Sequence, residues 1–235
     1  MELTKENLIQ GLIDGGYLKT PLVIDAFQNV DRKDFMLPEY REFAYLDEAM
    51  PIGYGQTISQ PLTVAFMLEL LCGDPSTSLR AGKILDVGSG SGWTTALLAQ
   101  IAGEKGRVFG VEKIPELVEF GRRNLAKYKF KNAEILPAGQ ELGLPKEALP
   151  ALSRVARSIR LRATLNRVEW VEGFDKILVS AAAHELPQEL VNQLKVGGRM
   201  VIPILNSIWK IDKVSKKEIK KEEYFGFSFV PLIKK

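Results

Sequence analysis

The chain has 235 residues, of which 46% are hydrophobic and 26% charged, a balance that excludes a disordered chain and can bury one large core. A formal net charge of +3 is too small to name nucleic acid as a partner. A single cysteine, Cys72, and a single histidine, His184, exclude a disulfide framework and a Cys- or His-based metal cluster, so no metal is expected.

No apolar run reaches membrane-spanning length, and the opening MELTKENL lacks the features of a signal peptide, so a cytoplasmic protein is expected. Residues 4–15, TKENLIQGLIDG, predict a short helix capped by Thr4, with Leu8, Ile9, Leu12 and Ile13 on one face. TPLVIDAFQNV predicts a second, and the two make a short N-terminal helical cap. The next stretch, RKDFMLPEYREFAYLDEAMPIGYGQ, has scattered aromatics, two prolines and no sustained period. It reads as a long loop covering something functional. Within YGQTISQP, residues 54–61, Gln56, Thr57, Ser59 and Gln60 crowd just ahead of the apolar helix PLTVAFMLELL. Ser59 as an N-cap, with Pro61 in the first turn, is one explanation. A polar site is the other. Cys72, at the end of that helix, reads as a small core residue.

From residue 83 the rhythm changes. KILDV, RVFGVE, AEIL, FDKILVSAAA and GRMVIPIL read as short buried strands. The helices WTTALLAQIAG, IPELVEFGRRNLAKY and LPQELVNQLK fall between them. That alternation predicts a doubly wound, Rossmann-like α/β sheet. IWKIDKV and EYFGFSFVPL alternate and predict a closing antiparallel hairpin. Residues 149–168, LPALSRVARSIRLRATLNRV, break the rhythm with five arginines and no acid. They read as an inserted amphipathic helix that packs Leu149, Leu152, Val155 and Ile159 and turns its arginines to solvent.

The chemistry concentrates in two places. Asp86-x-Gly88-x-Gly90-x-Gly92 joins the first of these strands to its helix, where glycines permit a tight turn and close ligand approach. The next strand ends in Glu112, 24 residues after Gly88, where an acid can accept from both hydroxyls of a ribose. An acid as near the loop as Asp86 disfavours a pyrophosphate. It suits a cofactor with a cationic end, such as S-adenosyl-L-methionine with its ammonium and sulfonium.

Four stretches carry a family resemblance: AYLDEAMPIGYGQTISQPLTVAFMLELL, ILDVGSGSGWTTALLA, FDKILVSAAAHELPQELVNQLKVGGRMVIPI and the tail FGFSFVPL. Together they resemble the protein-L-isoaspartate O-methyltransferases, from about Val30 to Leu232 and omitting the arginine-rich segment. PIGYGQTISQP is the most specific piece. The resemblance implies a methyltransferase variant of the α/β fold, in one domain over 1–235 with residues 1–60 as cap and substrate-side segment. It implies methyl transfer from S-adenosyl-L-methionine to the α-carboxylate of L-isoaspartyl residues in damaged peptides and proteins. The ester then closes to a succinimide, whose hydrolysis partly restores aspartate. Ser59 matches the family's active-site serine and orients the substrate. Gln56, Thr57, Ile58 and, on the loop after SAAA, His184 are the other substrate-side candidates. The cofactor set is Asp86, Gly88, Ser89, Gly90, Gly92, Glu112, Lys113, Gly139 and Gln140.

Three departures accompany the resemblance. PAGQ, residues 137–140, stands where the family carries Gly-Asp-Gly, leaving Gln140 to offer a carbonyl to the adenine amine. The arginine-rich segment follows it. The family's glutamine-containing loop after the fifth strand is shortened, with Asn206 in its place. Two other readings stay open on the sequence: methylation of RNA or a small carboxylic acid, and a non-catalytic nucleoside- or RNA-binding module. A monomer that binds neither membrane nor nucleic acid is the expectation.

Overall fold

The computed structural model describes residues 2–73, 82–139, 142–144 and 173–232. The arginine-rich stretch 149–168 and Gln140 lie outside the described residues. Helix α1 (Lys5–Asp14) begins at Thr4, whose hydroxyl accepts from the Asn7 N–H, and buries Ile9 and Leu12. Helix α2 (Pro21–Asn29) is tied down at its start by Glu69, whose carboxylate accepts from the N–H groups of Lys19 and Thr20 and from the Thr20 hydroxyl.

The aperiodic stretch that follows is not one loop. It holds two 3-10 turns, Arg32–Phe35 and Pro38–Phe43, and an antiparallel hairpin of β1 (Met50–Gly53) and β2 (Gln56–Ile58). Strands of four and three residues are too short to leave a period in the sequence. The N-cap position of helix α3 (Pro61–Cys72) is Gln60, which sets aside the capping explanation for Ser59. Proline at the first helical position makes the residue before it the cap. The free N–H of Leu62 is then taken from outside by Asp47 at 2.7 Å, and the Gln60 amide donates to the same carboxylate.

The main sheet joins β3 (Lys83–Val87), β4 (Arg107–Glu112), β5 (Ala133–Pro137), β6 (Phe174–Val179), β7 (Leu194–Ile204), β8 (Ser207–Lys213) and β9 (Ile219–Phe225). Their order is β5-β4-β3-β6-β7-β8-β9, with β8 and β9 antiparallel and the other pairs parallel. Successive residues feed opposite faces: Ile84, Val108 and Leu178 enter one core, while Leu85, Phe109 and Ile177 enter the other. Helix α4 (Trp93–Ala102) is buried almost all round, between the sheet and α2, where Phe27 meets Trp93 edge-on at 5.7 Å. Helix α5 (Pro115–Ala126) buries Leu117, Val118 and Leu125, and α6 (Gln188–Gln193) buries Leu190 and Val191.

The closing hairpin exists but is shorter at its end than the alternation predicts. All seven residues of β8 are matched by 219–225, so β8 has none left to pair with 226–232, and Gly226 turns away with φ 96°. The tail crosses instead to the end of β6, where Ala182 N–H donates to Val230 at 2.9 Å and Leu232 N–H to Ala182 at 2.7 Å. Among the described residues, no helix is long and apolar enough to cross a membrane.

Candidate active site

The chain runs from β3 outward through β4 to β5, then returns to place β6 on the other side of β3. A ligand crevice opens beyond the carboxyl ends of the strands at such a reversal. Here it is a cavity of about 270 Å³. It is lined by Val87 at the end of β3 and Gly88 after it, by Val111 and Glu112 of β4, and by Ser180 and Ala181 just past the end of β6. The β1–β2 hairpin brings Ile52, Gln56 and Thr57 to one side, and the tail brings Val230, Pro231 and Leu232. Ala138, Gly139, Leu142 and Gly143 form the far end.

Glu112, 8% exposed, does more than meet a ligand. Its carboxylate accepts from Gly90 N–H at 2.9 Å, Lys113 N–H at 2.6 Å and Ile114 N–H at 3.0 Å. Three of about four acceptor positions are thus taken, and one remains on the oxygen shared with Gly90. The acid at the end of β4 therefore holds the glycine loop after β3. Gly88 and Gly90 both sit at positive φ, 77° and 51°, and face the cavity. Gly92 has another duty: a Cβ there would lie 3.0 Å from Ile135 Cδ1 and 3.1 Å from the Gly121 carbonyl oxygen. It lets α4 start against α5.

Asp86 is a correction. It is fully buried and does not line the cavity. Its carboxylate accepts from the hydroxyls of Thr94 at 2.7 Å, Thr95 at 2.6 Å and Ser180 at 3.1 Å. Burial pushes its carboxyl above the ordinary range, against the downward pull of those three bonds. The strand's inward pleat aims it behind the loop, so it braces the loop's base instead of facing a cationic ligand. Ser89 is also buried off the wall, with its hydroxyl unbonded.

The remaining candidates separate cleanly. Gln56, Thr57, Gly88, Gly90, Glu112, Lys113 and Gly139 share the cavity wall. Ile58 is 3% exposed and joins the core. Ser59 is half-buried just past β2, with its carbonyl accepting from Arg32 at 3.1 Å, and is not among the lining residues. His184 is exposed on the loop after β6, off the wall. Asn206 lends its carbonyl to the N–H of Phe227, at the root of the tail. Sequence reasoning missed Ile52, Ser180, the tail residues and Glu189, an exposed acid of α6 that also lines the cavity. The tail had a readable signal: Pro231 cannot donate to a ladder, which argues against a paired strand there. Among the described residues, no group of three or more His, Cys, Asp or Glu side chains is placed to hold a metal ion.

Comparison with known proteins bears on this cleft. A family model described as Protein-L-isoaspartate(D-aspartate) O-methyltransferase matches residues 3–150 and 167–235. The chain is 37% identical to a protein-L-isoaspartate O-methyltransferase of Methanopyrus kandleri, over 97% of this chain and 91% of that one. It is 37% identical to one from Ignicoccus hospitalis, over 99% of each. A crystal structure from Plasmodium falciparum, assigned to the same activity and in complex with S-adenosyl-L-homocysteine, superposes with a TM-score of 0.78 at 27% identity, covering 100% of both chains.

Proposed function

The chain belongs to the protein-L-isoaspartate (D-aspartate) O-methyltransferase family, and from that premise we propose that its cleft methylates the α-carboxylate of L-isoaspartyl residues in damaged proteins, using S-adenosyl-L-methionine. The observation that carries this reading is the shared wall: Gln56 and Thr57 of the GQTISQP hairpin border the same cavity as Gly88, Gly90 and Glu112.

The residues present fit such a cofactor. The glycine loop keeps side chains off the floor, and Glu112, fixed by three amides, retains an acceptor position suited to a ribose hydroxyl. When bound, S-adenosyl-L-methionine supplies a methyl group on a sulfonium, an electrophile that needs no activation by the protein. A carboxylate is ionised at neutral pH and already nucleophilic, so the chain has no proton to remove. Its work is alignment and the exclusion of water.

Donors suit that work. The Thr57 hydroxyl and the Gln56 amide can hold a carboxylate without neutralising it. Ser59, two residues on, takes the role of orienting the substrate at the rim, and His184 that of an outer contact to polypeptide. Ile52, Val230 and Leu232 give the cavity apolar cover. The two segments matched by the family model leave out 151–166, which supports reading 149–168 as an insertion.

The test is the position of the methyl group. After incubation with S-adenosyl-L-methionine, an isoaspartyl peptide should gain one base-labile methyl ester, placed by fragment-ion mass spectrometry on the α-carboxylate of the isoaspartyl residue. A base-stable methyl group, or one on a different side chain, would overturn the assignment.

A further inference from the structure

Arg32 links the segment that carries the β1–β2 hairpin to the start of α4, and nothing in its sequence context, VDRKDF, announces it. Its side chain enters the interior with 3% exposure. One terminal nitrogen, Nη1, donates to the carbonyls of Ala44 at 3.0 Å and Leu46 at 3.4 Å. The other, Nη2, donates to Glu48 at 2.7 Å, Ser59 at 3.1 Å and Ile58 at 3.5 Å. All five carbonyls belong to the segment that carries the hairpin and Ser59.

The other side of the guanidinium meets Trp93, its carbon 5.4 Å from the ring centroid. Trp93 is the first residue of α4 and directly follows Gly92, the last glycine of the loop. Burial draws the guanidinium down to about 10 against the opposing pull of Asp47, so it is still a cation at neutral pH. Among the described residues, carbonyl dipoles and a ring face hold the charge, and no carboxylate is bonded to it. A buried cation of this kind is expensive, and its five carbonyl partners, which an apolar side chain would leave without that donor, offset the cost. What the guanidinium adds is geometry. A planar fork fixes the spacing between the carbonyls on one side and the start of α4 on the other.

We propose that Arg32 is a positioning residue for methyl transfer, holding the substrate-side carbonyls in register with the helix that carries the cofactor loop. The proposal rests on the methyl-transfer reading of the cleft. A misplacement of about 1 Å between reacting groups can lower a rate by about 100-fold. Lysine keeps the charge but has no planar fork to span five carbonyls and cover a ring.

The experiment compares wild type, Arg32→Lys, Trp93→Phe and the double variant, each well below its own unfolding temperature. It measures kcat and KM on an isoaspartyl peptide and, by calorimetry, the affinity for S-adenosyl-L-homocysteine. Arg32→Lys should lower kcat by about 10- to 100-fold and leave cofactor-product affinity within about three-fold. Trp93→Phe, which loosens the same contact from the other side, should lower kcat less, and the double variant should be no slower than Arg32→Lys. If Arg32→Lys does not fold, Trp93→Phe carries the test alone, and wild-type kcat in it would overturn the proposal. Wild-type kcat in a folded but less stable Arg32→Lys would reduce Arg32 to a structural role. So would additive losses in the double variant, or cofactor affinity falling as far as kcat. Failure of the wild type to methylate the peptide would instead sink the reading of the cleft.

Discussion

Replacing Glu112 by glutamine changes one atom and should damage two functions at once. The carboxylate accepts from three backbone N–H groups, at Gly90, Lys113 and Ile114. A carboxamide has one oxygen and one NH2. If the oxygen faces Lys113 and Ile114, the NH2 confronts Gly90 N–H, donor against donor. If the amide flips, two N–H groups are confronted. At least one buried amide is left unbonded, which costs about 1–3 kcal/mol. For a chain of this size that lowers Tm by roughly 2–4 °C per kcal/mol, so by about 2 to 12 °C. Cofactor binding loses a bond to a charged acceptor, about 1.5–3 kcal/mol, or roughly 10- to 150-fold in Kd. Calorimetry with S-adenosyl-L-homocysteine and a thermal melt of the free protein read the two effects separately. Binding within about three-fold of wild type would refute the ribose role. An unchanged melt would refute the loop clamp.

Three further outcomes follow. Ser59→Ala should lower turnover while S-adenosyl-L-homocysteine affinity holds; equal turnover in steady-state assays would remove Ser59 from the substrate side. Glu134 is drawn up from 4.5 to about 6, chiefly by burial against the pull of Arg122 and Arg107. A raised acid favours the folded state below pH 4.5 and loses that favour as pH rises through about 6. Wild type should therefore fall relative to Glu134→Gln by up to about 2 kcal/mol across that window in denaturant melts, and a difference constant with pH would contradict this. Replacing 149–168 by a short Gly/Ser linker should leave a folded protein that binds S-adenosyl-L-homocysteine; unfolding on deletion would make the segment part of the core.

What could be read in advance followed physical scale. Strands such as KILDV and RVFGVE are apolar on both faces, and the helices between them carry their own period, so the layered sheet was legible. The glycine loop and Glu112 were legible because their chemistry is local. The hairpin of β1 and β2 was not, since its strands are too short to show alternation. Asp86 was misread because sequence gives proximity to the loop but not the side of the pleat, and its partners Thr94, Thr95 and Ser180 arrive from α4 and the end of β6. The roles of Arg32 and the tail depend on contacts from 12 to 61 residues away, such as Ala44 and Trp93 for Arg32 and Ala182 for Leu232. No local pattern encodes those.

The central claim is that this cleft selects a misplaced carboxylate on a damaged chain. The most direct measurement compares kcat/KM for methyl transfer to an isoaspartyl peptide with that for its aspartyl twin, identical in every other atom. The account predicts methylation of the isoaspartyl peptide and at most a trace with the twin. Equal methylation of both, or of neither, would contradict it.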